Sequence, residues 1–193
     1  MKQGTHMKFV LTIIALGSVS AFVQCHSMQE QKAIRMEDGK QWTARNLNID
    51  KVGSWCYEAA ERNCGQYGRL YTWESAREAC QSLGHGWRLP TDDEWRQLAK
   101  KYGGVSADSD DGGKAAYKSL LIGGGSGFNA LLGGGRGEDG QYARLEAHGF
   151  YWTASEAEPG SACFYNFGKG GLALHRQGSG EKPRAFSVRC VRE

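Results

Sequence analysis

After residue 24 the sequence has no apolar run approaching the roughly 20 residues a helix needs to cross a bilayer. It also lacks an excess of charge of either sign. The 193 residues carry 24 Lys and Arg against 21 Asp and Glu, a formal net charge of +3. Removing Lys2 and Lys8 with a leader lowers this to +1. Such a balance offers no electrostatic footprint for nucleic acid or an anionic membrane surface. The five histidines, His6, His26, His85, His148 and His175, show no metal-ligand spacing to each other or to a cysteine in the folded part. There is no Ser-His-Asp signature and no nucleophile elbow. The glycine runs Gly123–Gly125 and Gly133–Gly135 lack the Lys-Ser/Thr that follows in a phosphate-binding loop. They read instead as loop positions that take left-handed backbone. No internal repeat is visible. These absences leave no catalytic residue, no metal and no cofactor to assign.

What is present starts at the N-terminus. Phe9 to Gly17 is a short apolar run behind Lys8, followed by the small residues Ser18, Ser20 and Ala21. Half the length of a spanning helix, it reads as a secretory signal over residues 1–24. Cys25 follows as a candidate lipidation cysteine, although Phe22-Val23-Gln24 fits a lipobox poorly; the alternative is a spare thiol near the N-terminus. Residues 25–33 read as a polar tether, and 34–193 as one domain. About 165 to 170 residues remain after the leader, enough to bury a sizeable core. The expected location is the outer membrane or cell surface as a lipoprotein, or the periplasm or medium. The only membrane contact expected is through an N-terminal lipid. An oxidising compartment makes disulfides the first reading of the remaining cysteines.

Local patterns outline an α+β fold. Asp38-Gly39 between two alternating segments predicts a β-hairpin. Cys56 and Cys64 bracket a polar loop. Trp73, Ala76, Cys80 and Leu83 recur at helical spacing. Thr91-Asp92-Asp93-Glu94 is a capping box, and Trp95, Leu98 and Tyr102 form the apolar stripe of the helix that it starts. Lys100 and Lys101 suit its C-terminal end. From Gly103 to Gly140, long glycine-rich loops with one short helix near Lys114 to Leu121 are expected. The last part reads as strands at Phe150–Ala154, Ala162–Phe167, Leu172–Arg176 and Ala185–Val191, with Lys169-Gly170-Gly171 as a turn.

Several long motifs occur in order. They are Trp55-Cys56-Tyr57, Cys64, Tyr67-Gly68-Arg69-Leu70-Tyr71-Thr72-Trp73, Ala79-Cys80 and Gly86-Trp87-Arg88-Leu89-Pro90-Thr91-Asp92-Asp93-Glu94-Trp95. Then come Gly127-Phe128-Asn129-Ala130-Leu131, Tyr151-Trp152-Thr153-Ala154-Ser155-Glu156 and Phe186-Ser187-Val188-Arg189-Cys190-Val191. Over roughly Met36 to Arg192 the chain resembles the Fibrobacter-type major paralogous domain family, FISUMP. The resemblance implies a C-type-lectin-like fold on the formylglycine-generating-enzyme-like branch: two helices plus an antiparallel sheet with long Gly-rich loops. It implies export, often as a lipoprotein. The same domain type serves as the variable protein of diversity-generating retroelements. The resemblance also implies a Cys80–Cys190 disulfide. Closing a loop of ~110 residues, it is worth roughly 4 to 5 kcal/mol on the chain-entropy model. A local Cys56–Cys64 bridge would add roughly 2 to 3 kcal/mol. Cys163 is left over as a buried thiol.

The resemblance also frames the exclusions. Glu158-Pro159-Gly160 lacks the third side-chain oxygen of a calcium-dependent sugar site, and no Trp-Asn-Asp follows. Asp108, Asp110 and Asp111 depart from an EF-hand at Gly112 and lack a closing glutamate. Formylglycine-type oxidation needs a reactive cysteine pair, and Cys163 has none nearby. Most of Trp42, Trp55, Trp73, Trp87, Trp95 and Trp152 fit core packing, with Trp55 the best candidate for exposure. Ligand binding is expected on the C-terminal sheet. Alternation puts Cys163, Tyr165 and Phe167 on one face, Phe164 and Asn166 on the other. The candidate contacts are Glu158, Ser161, Phe164, Asn166, Lys169, Ala173, His175 and Arg176. The expected function is a ligand-binding module for a protein, possible retroelement diversification included. A carbohydrate-binding adhesin is the alternative; an oxidase is the remote one.

Overall fold

The computed structural model describes Met1 and residues 32–193. The leader, Cys25 and most of the tether lie outside these residues. Strand β1 (Ala33–Arg35) already pairs at Ala33 with Thr43 of β2 (Gln41–Thr43), so the folded part starts one residue before the expected boundary. The Asp-Gly turn forms as expected, and the Trp42 indole N–H donates to Asp38 at 2.9 Å. β3 (Ser54–Trp55) pairs antiparallel with β4 (Leu70–Tyr71).

The segment between Cys56 and Cys64 is not the polar loop expected. It contains a 3-10 turn (Tyr57–Ala59) and runs into helix α1 (Glu61–Tyr67). A helix of under two full turns offers too few periodic positions to be seen in the sequence. Here it is held by tertiary contacts: Asn63, Cys64 and Tyr67 are buried, Asn63 donates to the Tyr57 carbonyl at 2.9 Å, and Cys64 is bonded to Cys56.

Helices α2 (Trp73–Gln81) and α3 (Asp92–Lys101) fall where the periodicity predicts. Thr72 caps α2 by accepting from the Ser75 amide. The Thr91–Glu94 capping box of α3 is complete. Glu94 also accepts a bidentate fork from Arg88 at 2.6 and 2.7 Å, and Lys40 lies 3.4 Å away. Helix α4 (Lys114–Leu120) is the short helix expected in the glycine-rich region. Asp111 accepts the amides of Gly113, Lys114 and Ala115 just before it, so one member of the acidic loop serves as a helix-start acceptor.

The main sheet has the order β6-β5-β7-β8-β9. Its strands are β5 (Gly133–Arg136), β6 (Tyr142–Leu145), β7 (His148–Glu158), β8 (Ser161–Gly168) and β9 (Ala173–Glu181). β5 runs parallel to β7, and the other pairings are antiparallel. The β5–β6 hairpin corrects the reading of this region as loops, and among the described residues α1 adds a fourth helix to the two main helices and the short one expected. Gly133–Gly135 carry no side-chain signal for a strand. Glycine is nevertheless required: Gly134 has φ +65°, and a Cβ there would lie 2.6 Å from the Ala143 carbonyl. The Lys169-Gly170-Gly171 turn joins β8 to β9, which begins at Ala173 and runs beyond Arg176 to Glu181.

The run Ala185–Val191, expected as a strand, is a seam instead. It bridges in turn to Arg136, Tyr71, Tyr151 and Arg88, and ends in β10 (Val191–Arg192) against β2. A segment that changes partner every residue or two forms no continuous ladder. Cys190 within it is bonded to Cys80 of α2, with Cα atoms 5.6 Å apart. Both resemblance-implied disulfides are therefore present.

Two apolar clusters occupy opposite sides of β7 and β8. On one, Trp95 stacks on Tyr165 at 5.0 Å and meets Trp42 and Phe128 edge-on. On the other, Trp152, Phe186 and Trp73 pack with Leu89 and Val188. At about 25 cal/mol per Å2, a ring burying about 200 Å2 contributes roughly 5 kcal/mol before entropy is counted.

Arg189 is fully buried beside the first cluster. Its guanidinium donates to Asn46 Oδ1 (2.9 Å), the Thr43 carbonyl (2.6 Å) and the Asn129 carbonyl (2.8 Å), and lies over the Phe128 ring at 4.4 Å. Burial pushes its pKa down to about 10, so it remains charged at neutral pH. Arg189→Ala removes the guanidinium donor from the buried Thr43 carbonyl and Asn46 Oδ1, the latter still 3.2 Å from the Tyr151 hydroxyl, and from the part-buried Asn129 carbonyl, at about 1–3 kcal/mol for each buried acceptor left without a donor. A loss of about 3 to 5 kcal/mol in urea unfolding is expected; a change below about 1 kcal/mol would contradict this account.

Glu94 supplies the pH dependence. Burial alone raises its pKa, but the Arg88 hydrogen bonds, the Thr91 amide and the charges of Arg88 and Lys40 outweigh it and bring it down from 4.5 to about 2. A carboxylate whose pKa falls on folding stabilises the protein above its unfolded value. That contribution fades as pH drops from 4.5 towards 2. Allowing for the exposure of Arg88, Glu94→Gln should remove about 1–2 kcal/mol of this pH dependence. Urea unfolding measured across the window reads it directly; an unchanged pH slope would rule it out.

Candidate ligand-binding cleft

The expected contact residues do not form one surface. Strand pairing places Phe164, Asn166, Ala173 and His175 on one face of β8 and β9. Arg176 stands opposite Tyr165 and therefore on the other face, where it grips Asp92 of α3 at 2.8 Å. Ala173 is 5% exposed and unavailable to a ligand. Asn166 is engaged with His148 at 2.9 Å, and His175 with the Ser106 hydroxyl at 2.7 Å. Glu158 and Ser161 flank the β7–β8 turn and Lys169 sits in the β8–β9 turn; Glu158 and Lys169 are exposed. Alternation was read correctly at Cys163, Tyr165 and Phe167, all buried. It could not show which neighbouring element covers each face.

Phe164 belongs to a different constellation. It is half-buried at the wall of an open cleft of about 460 Å3. Phe150 from β7 and Phe186 from the seam complete an aromatic floor, with ring centroids 4.9 to 6.0 Å apart. The rim includes Arg136, Arg144 and Arg184. Arg184 is tied to Glu181 at 2.7 Å. The Arg136 guanidinium carbon lies over the Trp55 ring, 4.1 Å from its centre, and 5.8 Å from the centre of the Tyr142 ring. Trp55, expected to be the exposed tryptophan, is thus half-buried beneath a guanidinium.

Two glycines make the floor possible. A Cβ at Gly135 would come within 3.1 Å of Phe186 and 3.2 Å of Phe150. A Cβ at Gly180 would lie 2.7 Å from both the Phe164 and Trp152 rings. Of the cleft residues, the sequence reading offered only Phe164 as a contact candidate. The others come from β5, β6, β7 and the seam, and no spacing in the chain links them.

Cys163 is buried. Burial pushes its thiol pKa up, Asp92 adds to this, and the Arg176 guanidinium 3.5 Å away acts the other way. A second cleft of about 610 Å3 is lined by polar groups including Asn46, Asn48, Gln66 and Asn129. Cys56, Glu61 and Cys64 place potential metal-ligand atoms within 4.8 Å of one another, but the two sulfurs are joined in the disulfide. Each thiolate a metal would need is consumed by that bond.

The chain matches the Fibrobacter succinogenes major domain over residues 28–192. It belongs to that family. No curated protein and no solved structure matches it at a significant level.

Gly180→Ala should destabilise by roughly 1–3 kcal/mol, because a methyl group must displace two packed rings. Replacing Phe164 by Ala in that background should recover part of the loss, since one of the rings is gone. A double-mutant cycle of unfolding free energies measures the coupling; strict additivity would show that Gly180 does not set the packing of Phe164.

Proposed function

We propose that this chain is an exported ligand-binding module with a C-type-lectin-like fold, acting at the cell surface or in the periplasm, with no catalytic role. One observation carries the reading: an open cleft whose floor of three phenylalanines is drawn from three separate elements of a disulfide-closed scaffold. Aromatic rings held rigidly at a concave surface lose little entropy on binding and supply large contact areas. Two disulfides suit an oxidising compartment and so favour export.

A protein ligand is preferred to a sugar. The carbohydrate reading relied on Trp55 as a stacking platform, and Arg136 covers that ring. The oxidase reading needs a reactive thiol pair. Among the described residues Cys163 is the one free cysteine, and it is buried. Display at the surface fits the exposed Glu158 and Lys169 at the hairpin ends, where substitution would cost the fold little. Retroelement diversification would use such positions.

Neutral aromatic fragments, phenol and indole, titrated into isotope-labelled protein test the site. Amide shifts are expected to cluster at Gly135, Phe150, Phe164 and Phe186 and to be lost in Phe164→Ala. Clustering at Asn46, Asn48 and Gln66, or no binding at all, would overturn the assignment.

A further inference from the structure

We propose that the cleft takes an acidic peptide segment of a partner protein, one that presents an apolar side chain beside its carboxylates. The inference rests on the binding reading above and adds the chemistry of the ligand.

The floor asks for an apolar group. Phe150 and Phe164 are half-buried, and Phe186 closes the base at 4% exposed. No aliphatic or aromatic side chain of the described residues fills the space in front of them. The rim asks for negative charge. Arg184 is already neutralised by Glu181, but Arg136 and Arg144 form no ion pair among the described residues. Of the two carboxylates that line the cleft, Asp139 accepts the Gln141 amide at 3.0 Å, and Glu138 forms no ion pair with either arginine among the described residues.

Arg136 is also preorganised. Its guanidinium carbon lies 4.1 Å from the Trp55 ring centre and 5.8 Å from that of Tyr142, contacts that restrict the rotamer freedom it has left to lose. Its backbone is fixed as well, by paired hydrogen bonds with Ala185 at 2.9 Å in both directions. A fork held in this way suits bidentate pairing with a carboxylate. The three phenylalanines and the arginine fork share one opening, so a ligand joining both features within a residue or two satisfies the site.

Three capped tripeptides separate the components: N-acetyl, C-amide Phe-Glu-Glu, Phe-Gln-Gln and Phe-Lys-Lys, titrated by amide shift. Phe-Glu-Glu should bind the cleft about ten-fold more tightly than Phe-Gln-Gln, and Phe-Lys-Lys most weakly. The acidic advantage should shrink as salt is raised and vanish in Arg136→Gln/Arg144→Gln. Arg144→Gln alone, at an exposed side chain, gives a partial loss and keeps the test readable if the Arg136 change weakens the fold. Equal binding of Phe-Glu-Glu and Phe-Gln-Gln in the cleft would overturn the acidic ligand while leaving the cleft as a binding site. Absence of cleft shifts with any peptide, together with failure of the neutral fragments, would overturn both.

Discussion

Arg189 brings a positive charge into the interior where carbonyl oxygens, and no carboxylate, receive it. Burying an ion is costly unless each donor is answered, so the three acceptors must hold their positions. They come from the end of β2, from Asn46 beyond it, and from Asn129 in the glycine-rich region. One guanidinium therefore ties two stretches distant in sequence, 43–46 and Asn129, to the C-terminal seam. Asn46 passes the constraint on. It accepts from the Tyr151 hydroxyl at 3.2 Å and donates to the Tyr67 carbonyl at 2.8 Å. The single Tyr151 hydroxyl proton is shared between Asn46 and the Leu131 carbonyl at 2.8 Å, and its oxygen accepts from the Leu131 amide. Next to Arg189, Cys190 carries the bond to α2. The covalent closure and the buried cation thus act on adjacent residues, one tying the seam to a helix and the other tying it to loops.

The seam then builds the cleft. Phe186 lies three residues before Arg189, and its backbone pairs with Tyr71 in both directions. Its ring packs 4.4 Å from Trp152 and 5.0 Å from Phe150. Because both its strand partners and its ring partners are fixed, the floor is rigid before any ligand arrives. Gly135 and Gly180 leave the gaps that let the rings close to contact distance. A Phe-lined hollow with an arginine rim is thus a by-product of how the C-terminal segment is anchored, and its shape depends on groups far from its walls.

Legibility in the sequence followed the range of the interaction. The α3 capping box and the Asp-Gly hairpin are settled by neighbours within four residues, so the local pattern sufficed. Helix α1 and strands β5 and β6 were missed for the opposite reason. α1 is too short for a periodic stripe, and β5 is made largely of glycine, which has no side chain to alternate. The Ala185–Val191 run has strand-like composition, yet its isolated bridges go to four different residues, and its carbonyls at Val188 and Cys190 to two more. The disulfide pairing was legible only through family resemblance, since cysteine positions alone leave several connectivities open. Among the contact candidates, alternation sorted the two faces of β8 correctly. It gave no warning that Ala173 would be covered or that Arg176 would be spent on Asp92.

By itself, the sequence determined the α+β class, the family, the best-capped helix and the identity of the core aromatics. These follow from short-range periodicity, capping chemistry and long ordered motifs. Only the tertiary structure decided which aromatic rings remain accessible and which arginines remain unpaired. Accessibility is set by the segments that pack over a residue, and here they arrive from β5, β6 and the C-terminal seam. Phe150, Phe164 and Phe186 become one surface because a buried arginine and a disulfide hold the seam against the sheet, a relation that no spacing along the chain encodes.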